Sequence, residues 1–243
     1  SQSFAARTCH FDPIAIAALK TKTAWLTKPR WILLWSIVSF MALANYSFFT
    51  GRFLTRLEHL PTMQAAIAQV HQSGYPNVHL MLPFVRTVEE FRFCRQLVEQ
   101  AGLKLNPHFQ LWIMAEVPSV LFLLPEYIKA GVQGIAIGTN DLTQLLLGVD
   151  REQGKFTEVW NQKNPAVMGA IRQLIETARK YKIPCSICGQ APILYPEIIE
   201  QLVQWGITSI SVEPEAVQRT YAAIARAEKR IILEAARKQS NTD

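Results

Sequence analysis

Cysteine is scarce in this chain: Cys9, Cys94, Cys185 and Cys188 are the only four in 243 residues. That is too few for a disulfide framework in a chain of this length, so a reducing compartment is expected. The sequence also lacks low-complexity tracts and internal repeats, which excludes solenoid and tract-like disordered architectures. No small-residue cleavage site follows an apolar stretch near the start, which argues against a cleaved signal peptide. A surplus of one charge over the main body is missing as well. The formal net charge is +6, but residues 1–60 carry seven Lys/Arg against Asp12 and Glu58, a net of +5, and residues 61–243 carry 18 against 17, a net of +1. No basic stripe is left to track a phosphate backbone, and nucleic-acid binding is excluded as the main role.

What is present is an ordinary globular composition, 49% hydrophobic and 18% charged, in a chain able to bury one large core or two modest ones. From Pro76 onward short apolar runs alternate with amphipathic stretches. Strands are predicted over 77–82, 109–116, 134–138, 183–188 and 207–212. Helices are predicted over 88–99, after Pro118 to about Lys129, in "DLTQLLL", over 165–181, over 197–206 closed by Gly206, and in a long terminal segment from Glu215. Continuous apolar strands separated by helices predict a parallel sheet buried on both faces. The fold class is therefore α/β, of (β/α)8 TIM-barrel type but incomplete, with about five βα units where a closed barrel needs eight.

Residues 1–59 break the rhythm and read as an atypical, hydrophobic, helical N-terminal segment, leaving 60–243 as the barrel portion. Residues 31–51 form 21 consecutive positions without a charge, long enough to span a bilayer, the alternative being a buried helix. Lys20, Lys22, Lys28 and Arg30 outweigh Arg52 and Arg56, so a true span would put residues 60–243 outside the cytoplasm. The chemistry described next belongs in the cytoplasm, which is the expected location, with membrane association through 31–51 as the alternative.

Active groups of parallel α/β proteins gather at the C-terminal ends of strands. Here those ends carry Glu116, Asn140 with Asp141, and Cys188. Two carboxylates at adjacent strand ends make a partial oxygen cage for Mg²⁺. Gly138 and Thr139 allow close backbone approach and supply donors to an anion. Asp141 could equally cap the helix that follows it. The C-x-x-C of "PCSICGQAP" invites a redox or metal reading, but residues three apart on a strand face opposite ways, and no second C-x-x-C exists to complete a zinc site. Cys185 is expected to pack in the core, and Cys188, beside Gly189, to be the exposed, usable thiol.

The segments "IMAEVPS", "IAIGTNDLTQLLLGVDR", "ICGQAP" and "GITSISVEPEAV", with "VHLMLPFVRTVEEF" before them, closely resemble the C-terminal phosphoenolpyruvate/pyruvate-binding barrel of the phosphoenolpyruvate synthases (pyruvate, water dikinases), within the family of PEP-utilising enzymes. The resemblance implies a phosphotransferase that, in the full enzyme, turns pyruvate, ATP and water into phosphoenolpyruvate, AMP and phosphate. It implies Mg²⁺ held by Glu116 and Asp141. It implies contact of Glu116, Gly138, Thr139, Asn140 and Asp141 with pyruvate or phosphoenolpyruvate, an Arg151 that reaches the substrate phosphate, and a Cys188 that exchanges the proton at the methyl carbon. Relatives associate through this barrel, which implies a homodimer. The phosphohistidine and ATP-grasp domains of the family have no counterpart here: His10, His59, His71, His79 and His108 all lie outside a Gly/Thr-rich phosphohistidine context. Two substrate-gripping arginines of the family's front strands are also unmatched, since Arg7, Arg30, Arg52 and Arg56 lie in other surroundings, and Arg86 reads as a structural ion-pair former. The expected activity of the chain alone is accordingly partial. The competing readings are a catalytically inactive fragment, a membrane-tethered interaction protein that keeps the motifs, and a C-x-x-C redox protein.

Overall fold

The computed structural model describes residues 60–74, 78–100, 102–103, 109–149 and 160–240. The apolar run 31–51, the whole N-terminal segment 1–59 and Arg151 lie outside the described residues. Among the described residues, no helix is long and apolar enough to cross a membrane.

The order of elements is α1 (Leu60–Gln72), β1 (Leu80–Leu82), α2 (Val88–Gln100), β2 (Leu111–Ala115), α3 (Val120–Lys129), β3 (Gly134–Gly138), α4 (Thr139–Leu147), α5 (Pro165–Lys180), β4 (Cys185–Cys188), a single turn α6 (Ala191–Leu194), α7 (Ile198–Trp205), β5 (Ser209–Ile210), and α8 (Val217–Ser240) entered through a 3₁₀ turn at Pro214–Ala216. The five strands form one parallel sheet in sequential order, β1-β2-β3-β4-β5. The register runs Leu80 to Leu111, Trp112 to Gly134, Ile135 to Cys185 and Ile187 to Ile210. A doubly wound sheet reverses its strand order at a switch point; none occurs in this sheet.

Strand alternation separates two populations of side chains. Leu80, Leu82, Leu111, Ile113, Ala115, Ile135, Ile137, Cys185, Ile187 and Ile210 join the helices in one large apolar cluster. Met114, Ala136 and Cys188, with Met81 beside them, form a second small cluster on the opposite face. The helix-facing side is built of branched aliphatics. On the other, the Trp112 ring lies where a Cβ on Gly134 would stand, so any larger residue there would have to displace the indole. β2 and β3 are buried at every residue, as continuous apolar runs require.

The helices follow from local rules. α5 places Val167, Ala170, Ile171, Leu174, Ile175 and Ala178 on its buried stripe. Asn164 Oδ1 accepts the Ala166 N–H at 2.9 Å, Pro165 sits at the first helical position, and Arg179 and Lys180 occupy the last turn. α7 ends at Gly206 in the left-handed conformation, φ 96°. Arg86 pairs with Glu90 of α2 at 2.6 Å, the structural ion pair expected of it.

Several elements depart from expectation, among them the unforeseen single turn α6 and the later starts of β2 and β4. α1 carries no strong sequence signal and lies outside the predicted helices. The last strand shrinks from 207–212 to Ser209–Ile210, although Thr208 and Ser211 still donate backbone bonds to Cys185 and Ile187 at 2.9 and 2.8 Å. The first strand is confined to Leu80–Leu82, with residue 77 outside the described residues. α4 starts at Thr139 rather than Asp141, because the chain turns from strand to helix at Gly138 (φ −88°, ψ 93°). Gly138 is thus the N-cap, and Asp141 sits inside the first turn. There it meets the helix dipole, and the N-cap position expected of it belongs to Gly138.

Candidate functional site

The C-terminal ends of β2, β3 and β4 stand side by side, because Ala115 pairs with Ile137 and Gly138 with Cys188. Adjacent pairing brings together residues far apart in the chain. Glu116, directly after β2, is 2% exposed, and its Oε1 accepts the backbone N–H of Phe84 at 2.9 Å. Phe84 offers that N–H from the left-handed region, φ 52°, a conformation rare for a side chain of its size. The other carboxylate oxygen passes over Gly138, where a Cβ would lie 2.6 Å from Oε2. Glycine at 138 therefore makes room for the Glu116 side chain, a closer packing than the backbone-to-ligand approach expected.

Thr139 is fully buried, and its carbonyl accepts from the Thr143 hydroxyl at 2.7 Å. Asn140 Oδ1 accepts from Gln162 Nε2 at 2.8 Å and from the Gln190 N–H at 3.3 Å. Asp141 is 8% exposed. Gly189 has φ 99°, and a Cβ there would run into Thr139 Oγ1. The turn after β4 is thereby pressed against the start of α4.

Cys188 ends β4, as expected, on the face opposite Cys185, and the two thiols are separate and free. It is not exposed. Its Sγ is buried and donates to the Ile137 carbonyl at 3.4 Å. Burial first, and then the carboxylates of Glu116 and Asp141, push its pKa up to about 12. Two consequences follow. The expected surface thiol is corrected to a buried one, because the strand end is flanked by Gly138 and the turn at Gly189. And both carboxylates lie near enough to the sulfur to act on it electrostatically, so the three groups share one site. Cys185 is buried in the main core, which raises its pKa too.

Glu116 and Asp141 are hard oxygen donors, both buried and both on neighbouring strand ends. Among the described residues no group of three or more His, Cys, Asp or Glu is arranged to hold a metal. A pair of carboxylates suits Mg²⁺, which keeps waters and takes substrate oxygens, better than it suits zinc, which favours a closed cage of Cys and His.

Residues 51–229 match the family model described as PEP-utilising enzyme, PEP-binding domain. The chain belongs to that family. Relatives include the phosphoenolpyruvate synthase of Aeropyrum pernix, 46% identical over 172 residues that cover 70% of this chain and 21% of the relative. A probable phosphoenolpyruvate synthase of Archaeoglobus fulgidus is 40% identical over 187 residues, 77% of this chain and 25% of the relative. The chain therefore spans about a fifth to a quarter of the length of these curated relatives. Among solved structures, a citrate lyase from Burkholderia xenovorans LB400 superposes with a TM-score of 0.46 at 18% identity, covering 66% of this chain and 55% of that one.

Of the predicted site residues in the PEP-binding domain, Glu116, Gly138, Thr139, Asn140, Asp141 and Cys188 come together; Arg151 lies outside the described residues. Sequence reasoning missed Phe84, Gln162 and Gln190. Phe84 stands in the "PFVRT" segment, whose likeness to the family assigns no role to its N–H. Gln162 and Gln190 carry no local signal, since their bonds to Asn140 span 22 and 50 residues.

Proposed function

We propose that residues 60–243 are the phosphoenolpyruvate/pyruvate-binding portion of a phosphoenolpyruvate synthase, built as five successive units of a (β/α)8-type wall. The observation that carries this reading is the convergence of two buried carboxylates and one buried thiol at three adjacent strand ends in a chain of the PEP-binding family. Glu116 and Asp141 would hold Mg²⁺, which when bound supplies positive charge for the enolate that pyruvate becomes on losing a methyl proton.

The chain's own residues do the rest. The Phe84 N–H fixes one oxygen of Glu116 and so orients the other. Gly138, Thr139, Asn140 and Asp141 meet the carboxylate and enol oxygens of the substrate, and Arg151 its phosphate. Cys188 moves the proton at the methyl carbon. Buried at its strand end, with its S–H donated to the Ile137 carbonyl, it stands as a thiol poised to give its proton to the methylene carbon when phosphoenolpyruvate is turned to pyruvate. In synthesis it takes that proton back as thiolate, a form that needs the neighbouring carboxylate charge offset. The phosphoryl group would come from a phosphohistidine on a partner domain, recharged by an ATP-grasp domain.

Titration of oxalate, an enolate mimic, into the purified chain by calorimetry tests the reading. Binding is expected only with Mg²⁺, and Asp141→Ala is expected to weaken it by about a hundredfold or more, the usual cost of removing one partner of a buried charged contact. A folded wild-type protein that ignores oxalate in the presence of Mg²⁺ would sink it.

A further inference from the structure

Gln162 precedes α5 and is fully buried. Its Nε2 donates to Asn140 Oδ1 at 2.8 Å and to Thr139 Oγ1 at 3.3 Å. Its Oε1 is buried with no hydrogen-bond partner among the described residues. A buried carboxamide is unfavourable unless bonded, and here all its observed bonding goes to two residues of the site.

The network has a defined polarity. The Gln190 N–H, which can only donate, reaches Asn140 at 3.3 Å and so identifies that atom as the amide oxygen. An oxygen there demands a donor from Gln162, which sets the orientation of its amide too. With Oδ1 held by two donors, the planar Asn140 amide must direct its Nδ2–H₂ group away from both.

We propose that Gln162 is a positioning residue that acts through Asn140, fixing the Asn140 carboxamide so that Nδ2 is the donor presented to an anionic ligand at the ends of β3 and β4. This rests on the phosphoenolpyruvate/pyruvate reading above and adds a residue that does not itself touch the ligand.

A double-mutant cycle on the full chain tests it, with oxalate and Mg²⁺ as probe and a thermal melt on each variant. Gln162→Met keeps the volume and removes the donor. Gln162→Met and Asn140→Ala are each expected to weaken oxalate binding about tenfold, and the double variant to bind no worse than Asn140→Ala alone, because coupled residues are not additive. A Gln162→Met variant that binds like wild type, or whose loss adds in full to that of Asn140→Ala, overturns the proposal and leaves the functional reading standing. Wild-type protein that binds no oxalate removes both. Should Gln162→Met fail to fold, side-chain amide NMR signals of the unaltered protein decide. Those of Asn140 and Gln162 should shift together on adding oxalate, and a Gln162 signal that stays still while that of Asn140 moves overturns the proposal.

Discussion

Single atoms set the shape of the site. Gly189 is the clearest case: its φ of 99° suits glycine, and Thr139 Oγ1 occupies the place of any added Cβ. Gly189→Ala is expected to lower stability by roughly 1–3 kcal/mol in urea denaturation, the usual cost of a strained backbone conformation, and to weaken oxalate binding by displacing Thr139. An alanine variant as stable as wild type would show that the turn relaxes freely. Gly138 is constrained from the other direction, by Glu116 Oε2, which would stand 2.6 Å from any Cβ added there. The motif "GTND" was legible as a cluster of useful groups. That its glycine serves a glutamate 22 positions earlier was not, because that contact exists only once β2 and β3 pair.

At the scale of elements, alternation along β4 governs the fate of its two cysteines. The spacing by itself separated Cys185 from Cys188, and the two faces of the sheet bear this out. Exposure was not legible in the same way, since burial of a strand end depends on what packs over it. Burial and Glu90 push Cys94 up to about 11, burial raises Cys185, and Cys188 stands near 12. Since the thiolate is the reactive form, peptide mapping after iodoacetamide treatment at about pH 7.5 is expected to show these three labelled on the order of a hundredfold or more slower in native than in unfolded protein. Mild oxidation should give no Cys185–Cys188 disulfide. Rapid native labelling of Cys188 would contradict its burial. Helix ends offer a control away from the site: Gly206→Ala forces a Cβ into the left-handed C-cap of α7 and is expected to cost about 1–2 kcal/mol while leaving oxalate affinity unchanged.

For the molecule as a whole, His71 ties α1 to the start of the sheet, and His79 ties β1 to β2. His71 of α1 has its Nε2 3.1 Å from the Val78 carbonyl, to which it donates, and its ring meets Phe109 edge-on at 5.6 Å. His79, entering β1, accepts the Gln110 N–H on Nδ1 at 3.2 Å. Burial first, and then His71, lower the His79 pKa below its ordinary value of 6.5. The unfolded chain therefore binds the proton more readily than the folded one. Stability from a neutral His79 is fully present above about pH 6.5 and is lost as pH falls through the folded pKa. Urea unfolding at about pH 5 and about pH 7.5 should show wild type losing more stability on acidification than His79→Asn, whose amide oxygen can accept the same N–H. Equal losses in both would remove His79 from the account.

Much of this protein was settled by local chemistry. Periodicity, caps and apolar runs determined the βα rhythm: β3 falls on 134–138 as read, and α5 ends within one residue of the expected boundary. Strand-end logic located Glu116, Asn140, Asp141 and Cys188, since those positions follow from where each apolar run stops. Tertiary structure alone decided the burial of Cys188, the Phe84 N–H on Glu116, and the Gln162–Asn140–Gln190 network. Each of these joins residues on different strands or helices. Their energies arise from distances that no sequence window contains, and only the parallel pairing of β1 through β4 sets those distances.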